Sequence, residues 1–384
     1  MRDRAATPLG YLRKVPFDDS RQAPSVRRGD PCWCGSGRKF KRCHMKREEE
    51  KQLPVSAINA RLISGRRLEN CWHPQASKEA CGKKIVQAHS LQRSSVLRGI
   101  VDDTNHVLTF CPPRHDYYGN PVPTEMGWKE ASTFKGFCDF HDRELFAPIE
   151  TRSFEGTDEQ CFLLAYRAAC HELHQKIAMW EYVPSLQDLM DRGLAPADQE
   201  AIQANYRHML GATGWAVIRQ QRLKAQMDES LRSARFDDWQ FAVLNFSGPL
   251  EVVSTGVVEP NFDFAGLLIQ EDMLRESQSV AYATVLRDGG LSVALTWRKD
   301  HSAPLQFWRS LLNHSPSELP QVLTQFMFAY VENTFFSRRW WEGRRMFIKE
   351  HITRLALTRH PYMDRQSFVP KHVVSLVLES ARLL

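Results

Sequence analysis

Residues 30–45 read Asp30-Pro31-Cys32-Trp33-Cys34-Gly35-Ser36-Gly37-Arg38-Lys39-Phe40-Lys41-Arg42-Cys43-His44-Met45. Cys32 and Cys34 stand one residue apart, and Cys43 and His44 are adjacent after eight more. Three thiolates and one imidazole at that spacing suit a tetrahedral soft cation, so zinc is the expected metal. Gly35, Ser36 and Gly37 supply the reversal between the halves, because glycine reaches positive φ without steric cost and lets backbone amides turn toward the thiolates. Such a centre carries a net charge of minus one, and Arg38, Lys39, Lys41 and Arg42 are placed to offset it. Phe40 is the one bulky apolar side chain expected to cover the ion. A module this short cannot fold on apolar burial alone. Metal binding, about 10–16 kcal/mol in structural zinc peptides, has to hold it together.

The spacing and the Gly-Ser-Gly turn resemble the SEC-C motif, a zinc hook found as an appendage on many bacterial proteins. The resemblance is confined to these few residues of a 384-residue chain. It implies zinc held by Cys32, Cys34, Cys43 and His44, and a hook that docks on a protein partner or the ribosome. The plainer alternative is a hook that only staples the N-terminal region.

At 384 residues the chain has room for two or three domains with cores of their own. With 42% hydrophobic and 25% charged residues it has the composition of a globular protein, and no stretch approaches the length of a membrane span. The opening residues Met1 to Pro8 are charged and lack the apolar core of a signal peptide, so a cytoplasmic location is expected and no membrane partner. The nine cysteines agree, since seven of them lie before residue 139 among histidines. That clustering reads as metal ligation in a reducing compartment. Between Met1 and Arg47 thirteen Lys and Arg face four Asp. Such a segment suits a polyanion, either nucleic acid or a ribonucleoprotein, although a basic tail also extends simply by self-repulsion.

Taken in order, residues 1–29 have no apolar periodicity and read as a basic flexible arm, 30–47 as the hook, and 48–68 as a linker helix. Residues 69–150 gather Cys71, His73, Cys81, His89, His106, Cys111, His115, Cys138 and His141. The strongest signal there is Gly136-Phe137-Cys138-Asp139-Phe140-His141, with Cys and His at i and i+3. Both then face one side of a helix's first turn, where the helix dipole favours a thiolate. Cys71 and Cys81 are the expected remaining ligands of a second zinc. His73, His89 and Cys111 stand as alternatives.

Ile85 to His89 and Val107 to Phe110 read as strands between those ligand pairs. Cysteines, a hairpin and a ligand-bearing helix give the order of a treble-clef zinc fold, and the segment looks like the HNH nuclease branch of that class. That resemblance implies His89 as general base beside a further divalent cation. The sequence departs from the family at Ala88, where a second metal ligand is frequent, at its asparagine, which neither Asn105 nor Asn120 clearly supplies, and in the roughly 25 residues, Pro112 to Lys135, that separate the second strand from the helix.

Residues 151–237 show helical periodicity, interrupted by Gly211 and Gly214. His171 and His174 flank Glu172 without the i, i+4 spacing of a metalloprotease helix. Cys161 and Cys170 read as small buried hydrophobes. Residues 238–384 read as an α+β domain. Its short β-rich runs lie at 241–246, 251–254, 265–269, 280–285 and 291–297, with Asp288-Gly289-Gly290 as a hairpin turn. Helices are expected from Ala303 to Leu384.

In Val331 to Arg345, aromatics interleave with four arginines. Burial of the rings, worth several kcal/mol at about 25 cal/mol per Å², competes there with base stacking. No nucleophile triad, paired carboxylates, cofactor fingerprint or phosphate-binding glycine loop emerges from residues 151 to 384. The fold class is therefore α+β, with a SEC-C hook, a treble-clef-like zinc segment, a helical region, an antiparallel sheet and C-terminal helices. The expected function is zinc-dependent recognition of nucleic acid or a ribonucleoprotein, with bacterial defence as one setting for it. Its rivals are an HNH-like nuclease and a protein-docking adaptor that works through the hook.

Overall fold

A computed structural model describes residues 26–54, 57, 68–82, 84–116, 120–187, 189–271, 277–357 and 368–384. Most of the basic arm and of the expected linker helix lies outside them. The chain divides into two compact units, one of residues 1–68 and 175–218, the other of residues 69–174 and 219–384. Two long helices, α2 (Asp158–Gln187) and α3 (Pro196–Ser233), contribute residues to both. The earlier helix is α1 (Asp139–Glu150). α3 runs unbroken past Gly211 and Gly214, against the expected interruption. Gly214 lies where a Cβ would come within 3.3 Å of the Trp180 indole, so close packing accounts for it.

In the first unit, Val183, Ile202 and Tyr206 form a small core between the end of α2 and the start of α3. The connection between these helices matters most for the hook. Gly193 has φ +67°, and a Cβ there would meet the Glu50 carbonyl at 2.4 Å. Glycine is required on both counts, and its N–H donates to the Arg47 carbonyl at 2.9 Å.

The second unit is built on an antiparallel sheet of eight strands. These are β2 (His106–His115), β3 (Pro121–Gly127), β5 (Trp239–Ser247), β6 (Val252–Val258), β7 (Val280–Arg287), β8 (Gly290–Arg298), β9 (Thr334–Phe336) and β10 (Val377–Leu383), ordered β10-β5-β8-β7-β6-β9-β2-β3. Alternation sorts its two faces. Leu244, Tyr282, Val293 and Leu295 face a core shared with α4 (Ser302–Leu312), α5 (Leu319–Tyr330) and α7 (Met346–Leu357). Val243, Ala283 and Ala294 face Phe162, Tyr166 and Ala169 of α2. Cys161 and Cys170 lie fully buried on that helix, as expected. The β7–β8 hairpin turns through Asp288 and Gly289, with Gly289 at φ +83°.

Three expectations for this region need correction. Residues 265–269 are not a strand, because the Asp263 carboxylate accepts from the N–H groups of Ala265 and Leu267 and bends the chain through Gly266 at φ +79°. The helices do not continue to Leu384. Thr334–Phe336 inserts between β2 and β6, and Val377–Leu383 pairs along β5, so ladder pairing overrides local helical periodicity. Val107–Phe110 belongs to β2 of the large sheet rather than to a hairpin with Ile85–His89.

That last segment, β1 (Ile85–His89), pairs instead with β4 (Thr133–Cys138) in a separate two-stranded sheet, and α1 follows β4 directly.

In the aromatic and arginine stretch, burial prevails. Phe335, Phe336 and Trp340 are buried, and the Trp340 indole N–H donates to the Val373 carbonyl at 2.8 Å from the short helix α6 (Arg338–Glu342). Arg338 pairs with Asp102 at 2.7 Å, and Arg344 donates to that same Val373 carbonyl.

Candidate metal centres

The structure gathers Cys32, Cys34, Cys43 and His44 into one cluster, and Cys71, Cys81, Cys138 and His141 into another, with the ligand atoms of each lying within 4.8 Å of one another. At the hook, His44 Nδ1 is 3.2 Å from both Cys32 Sγ and Cys43 Sγ, and Cys34 Sγ is 3.5 Å from Cys43 Sγ. Donors bound to zinc at about 2.0–2.3 Å in a tetrahedron stand roughly 3.4–3.8 Å apart, close to these separations. Sulfurs at 3.5 Å are too far apart for a disulfide of about 2.05 Å, and all nine cysteines are free. The donor set therefore fits a zinc ion at each centre.

Local sequence explains the hook's shape. Gly35 and Gly37 take φ of +80° and +71°. The backbone amides of Cys34 and Ser36 donate toward Cys32 and Cys34 respectively. The Ser36 hydroxyl lies 3.2 Å from Cys34 Sγ and 3.3 Å from Cys43 Sγ. Phe40 packs against the cysteines as expected, joined by Trp33, whose ring is 4.5 Å from His44. Arg38, Lys39, Lys41 and Arg42 are exposed around the hook.

Buried beneath the hook is a polar network that sequence reasoning missed. His44 Nε2 donates to Asp191 Oδ2 at 2.6 Å, Arg47 Nε donates to Asp191 Oδ1 at 2.6 Å, and Gln203 Nε2 donates to Asp191 Oδ2 at 2.6 Å. Asp191 is 0% exposed and Arg47 3%. Gln203 also joins Gln187, which donates to the Cys34 carbonyl at 3.2 Å. Burial alone would raise the Asp191 carboxyl, but the hydrogen bonds from His44 and Arg47 outweigh it and hold the group low. Burial likewise works against protonation of His44, yet its bond to Asp191 and its thiolate neighbour Cys34 lift it to about 10. Burial pushes Cys32 up to about 12. At Cys34 the burial effect is overcome by the His44 and Ser36 hydrogen bonds, which bring it down to about 6. No periodicity links residue 191 to residue 44, so only the fold could reveal this partner.

The second centre is assembled differently. Cys138 ends β4 and is the N-cap of α1, its sulfur accepting from the His141 N–H at 3.4 Å. Gly82 N–H donates to the same sulfur at 3.2 Å, and Cys138 N–H donates to Cys71 Sγ at 3.5 Å. Burial raises Cys138, but these amide donors prevail and lower it, while burial keeps Cys71 up at about 12. His141 Nδ1 faces all three sulfurs, at 3.3 Å from Cys138, 3.5 Å from Cys71 and 3.7 Å from Cys81.

Of the alternatives, His73 stacks on the His141 ring at 3.9 Å without joining the cluster, and Cys111 is exposed. His89 belongs to neither cluster. It sits on β1 with Nε2 donating to the Lys129 carbonyl at 3.2 Å, and burial, helped by Arg93, lowers it to about 4. His171 and His174 meet the Phe134 ring edge-on, and the Trp72 indole donates to His174 Nδ1 at 3.4 Å.

No helix among the described residues is long and apolar enough to cross a membrane. No solved structure matches the chain. The SEC-C motif model matches residues 28–46, a span that encloses all four donors of the first centre, so the hook that the spacing implies is a SEC-C motif carried on a much larger α+β chain.

Proposed function

We propose that the protein is a zinc-stabilised recognition protein that engages nucleic acid or a ribonucleoprotein through the hook and the basic segment preceding it. One observation carries this reading: the sulfurs are turned inward, while Arg27, Arg28, Arg38, Lys39, Lys41 and Arg42 are all exposed on the hook. Cations fixed on a rigid metal-bound turn neutralise phosphates at lower entropic cost than the same residues on a loose tail. The second centre supports reading residues 69–150 as a treble-clef-like zinc domain, because Cys71 and Cys81 precede the β1–β4 pair, Cys138 ends β4 as the N-cap of α1, and α1 supplies His141 in its first turn.

The test is fluorescence anisotropy with labelled single-stranded RNA and duplex DNA across a salt series. Binding should weaken with salt, and Lys39→Glu with Lys41→Glu should flatten the slope on duplex DNA by about 0.9 for each phosphate no longer neutralised. Absence of salt-dependent binding to either ligand overturns the proposal. One placement favours an HNH-like nuclease as a second reading: His89 lies on β1 opposite Thr133 of β4, the strand that leads into the metal-bearing helix. Under that reading a divalent cation activates cleavage, and His89→Ala abolishes cleavage while leaving binding intact.

A further inference from the structure

The hook is held from beneath by a residue 147 positions away in sequence. We propose that Asp191 is a positioning residue of the hook's metal centre, fixing the tautomer and ring orientation of His44. The inference rests on reading the hook as a metal centre and is independent of the nucleic-acid proposal.

The His44 ring faces a carboxylate on one side and sulfurs on the other. Its Nε2 lies 2.6 Å from a carboxylate oxygen, a distance that requires a proton between them, since two lone pairs would repel. In the neutral ring Nδ1 is then the lone-pair nitrogen, and it is Nδ1 that lies 3.2 Å from both Cys32 Sγ and Cys43 Sγ. The carboxylate thus selects the tautomer that can ligate and raises the basicity of the ligating nitrogen, as outer partners of metal-bound histidines generally do.

Asp191 is itself fixed. Arg47 Nε occupies Oδ1, Gln203 Nε2 shares Oδ2 with His44, and the carboxylate has no exposed surface. Arg47 lies three residues beyond the ligand it supports, and its carbonyl receives the Gly193 N–H. The chain after the last ligand and the α2–α3 connection are therefore pinned to each other at two points. The hook's ligand geometry is in this way completed by the helical pair, and a SEC-C turn on this chain is not a detachable tail.

The experiment uses full-length protein. Zinc per chain is measured by elemental analysis, and hook affinity by competition with a chromophoric chelator, with the second centre's ion as an internal reference. Asp191→Asn preserves size and removes charge. It is expected to weaken the hook ion about 10–100-fold, leave the other ion in place, and shift the ligand-field absorption of the cobalt-substituted hook, a signature that a purely structural role leaves unmoved. If Asp191→Asn yields no folded protein, Gln203→Leu removes one donor to Oδ2 and is expected to weaken the hook ion severalfold. A wild-type chain lacking a hook ion overturns both this inference and the metal reading. Two ions in the wild type, with Asp191→Asn (or, failing that, Gln203→Leu) holding the hook ion within twofold of wild type and an unchanged cobalt spectrum, overturns this inference alone.

Discussion

The two clusters use the same donor set, three cysteines and one histidine presenting Nδ1, but steady it by different means. At the hook the support is side-chain and ionic: a buried carboxylate holds the far nitrogen of His44, and Arg47 and Gln203 hold the carboxylate. At the second centre the support is backbone and apolar. Amides of Gly82 and His141 solvate the Cys138 thiolate, and His73 lies flat on the ligand histidine. A hook of some twenty residues has no core of its own and borrows order from a distant polar residue. Cys138 already sits where β4 meets α1, a junction packed through Phe137 of the strand and Phe146 of the helix, so the main chain suffices.

Removing a ligand from each centre should break this symmetry most strongly. Cys138→Ser exchanges a soft thiolate donor for a hydroxyl at a fully buried position while serine still caps α1, so the loss reads out the metal bond itself. The substitution should cost roughly 3–5 kcal/mol or more and lower the thermal midpoint by about 10 °C, as read by calorimetry. Cys43→Ser should release one ion while leaving the main transition near its wild-type midpoint, and a main transition that shifts as far as in Cys138→Ser contradicts the contrast.

Acid sharpens it further once a chelator has stripped the metal. Burial lowers His73 and His174 to about 4, so the stability lent by their neutral rings is complete above an unfolded pKa of about 6.5 and lost as pH falls through about 4. His44 has the opposite sign. Raised to about 10, despite burial, by its bond to Asp191, it contributes fully below about 6.5 and loses that contribution only as pH rises through about 10. Cys34, brought down to about 6, has lost its contribution once pH falls through 6, so lowering the pH of the chelator-treated chain from 6 to 4 should speed hydrogen exchange in residues 71–82 and 133–141 before residues 30–47. The reverse order contradicts the assignment.

The smallest expected effect is at Ser36, whose hydroxyl reaches two sulfurs. Ser36→Ala should cost about 0.5–1.5 kcal/mol, up to roughly tenfold in hook affinity by chelator competition, with the second centre untouched.

Most of both Cys/His clusters was legible because the chemistry is local. Cys32, Cys34, Cys43 and His44 declare themselves by spacing, and Cys138 with His141 by their place on a helix's first turn. Cys71 and Cys81 are the favoured partners within residues 69–150, but the sequence leaves His73, His89 and Cys111 open beside them, and only the fold gathers the two cysteines against Cys138 and His141. The strand pairing was not legible in the same way. Ile85–His89 pairs with Thr133–Cys138 across more than forty residues, and Val107–Phe110 is drawn into a sheet whose other strands, β3 apart, come after residue 238. Likewise, the exposed alternation of Val377–Leu383 takes its meaning from the edge of β5. Asp191 illustrates the limit best. In the sequence it is one acidic residue near a helix end, and it becomes informative only when His44 is placed against it.

The most direct test of the account is metal content. Elemental analysis of the purified full-length chain should give two zinc ions per molecule, falling to one in Cys43→Ser. A wild-type chain that carries one ion or none contradicts it.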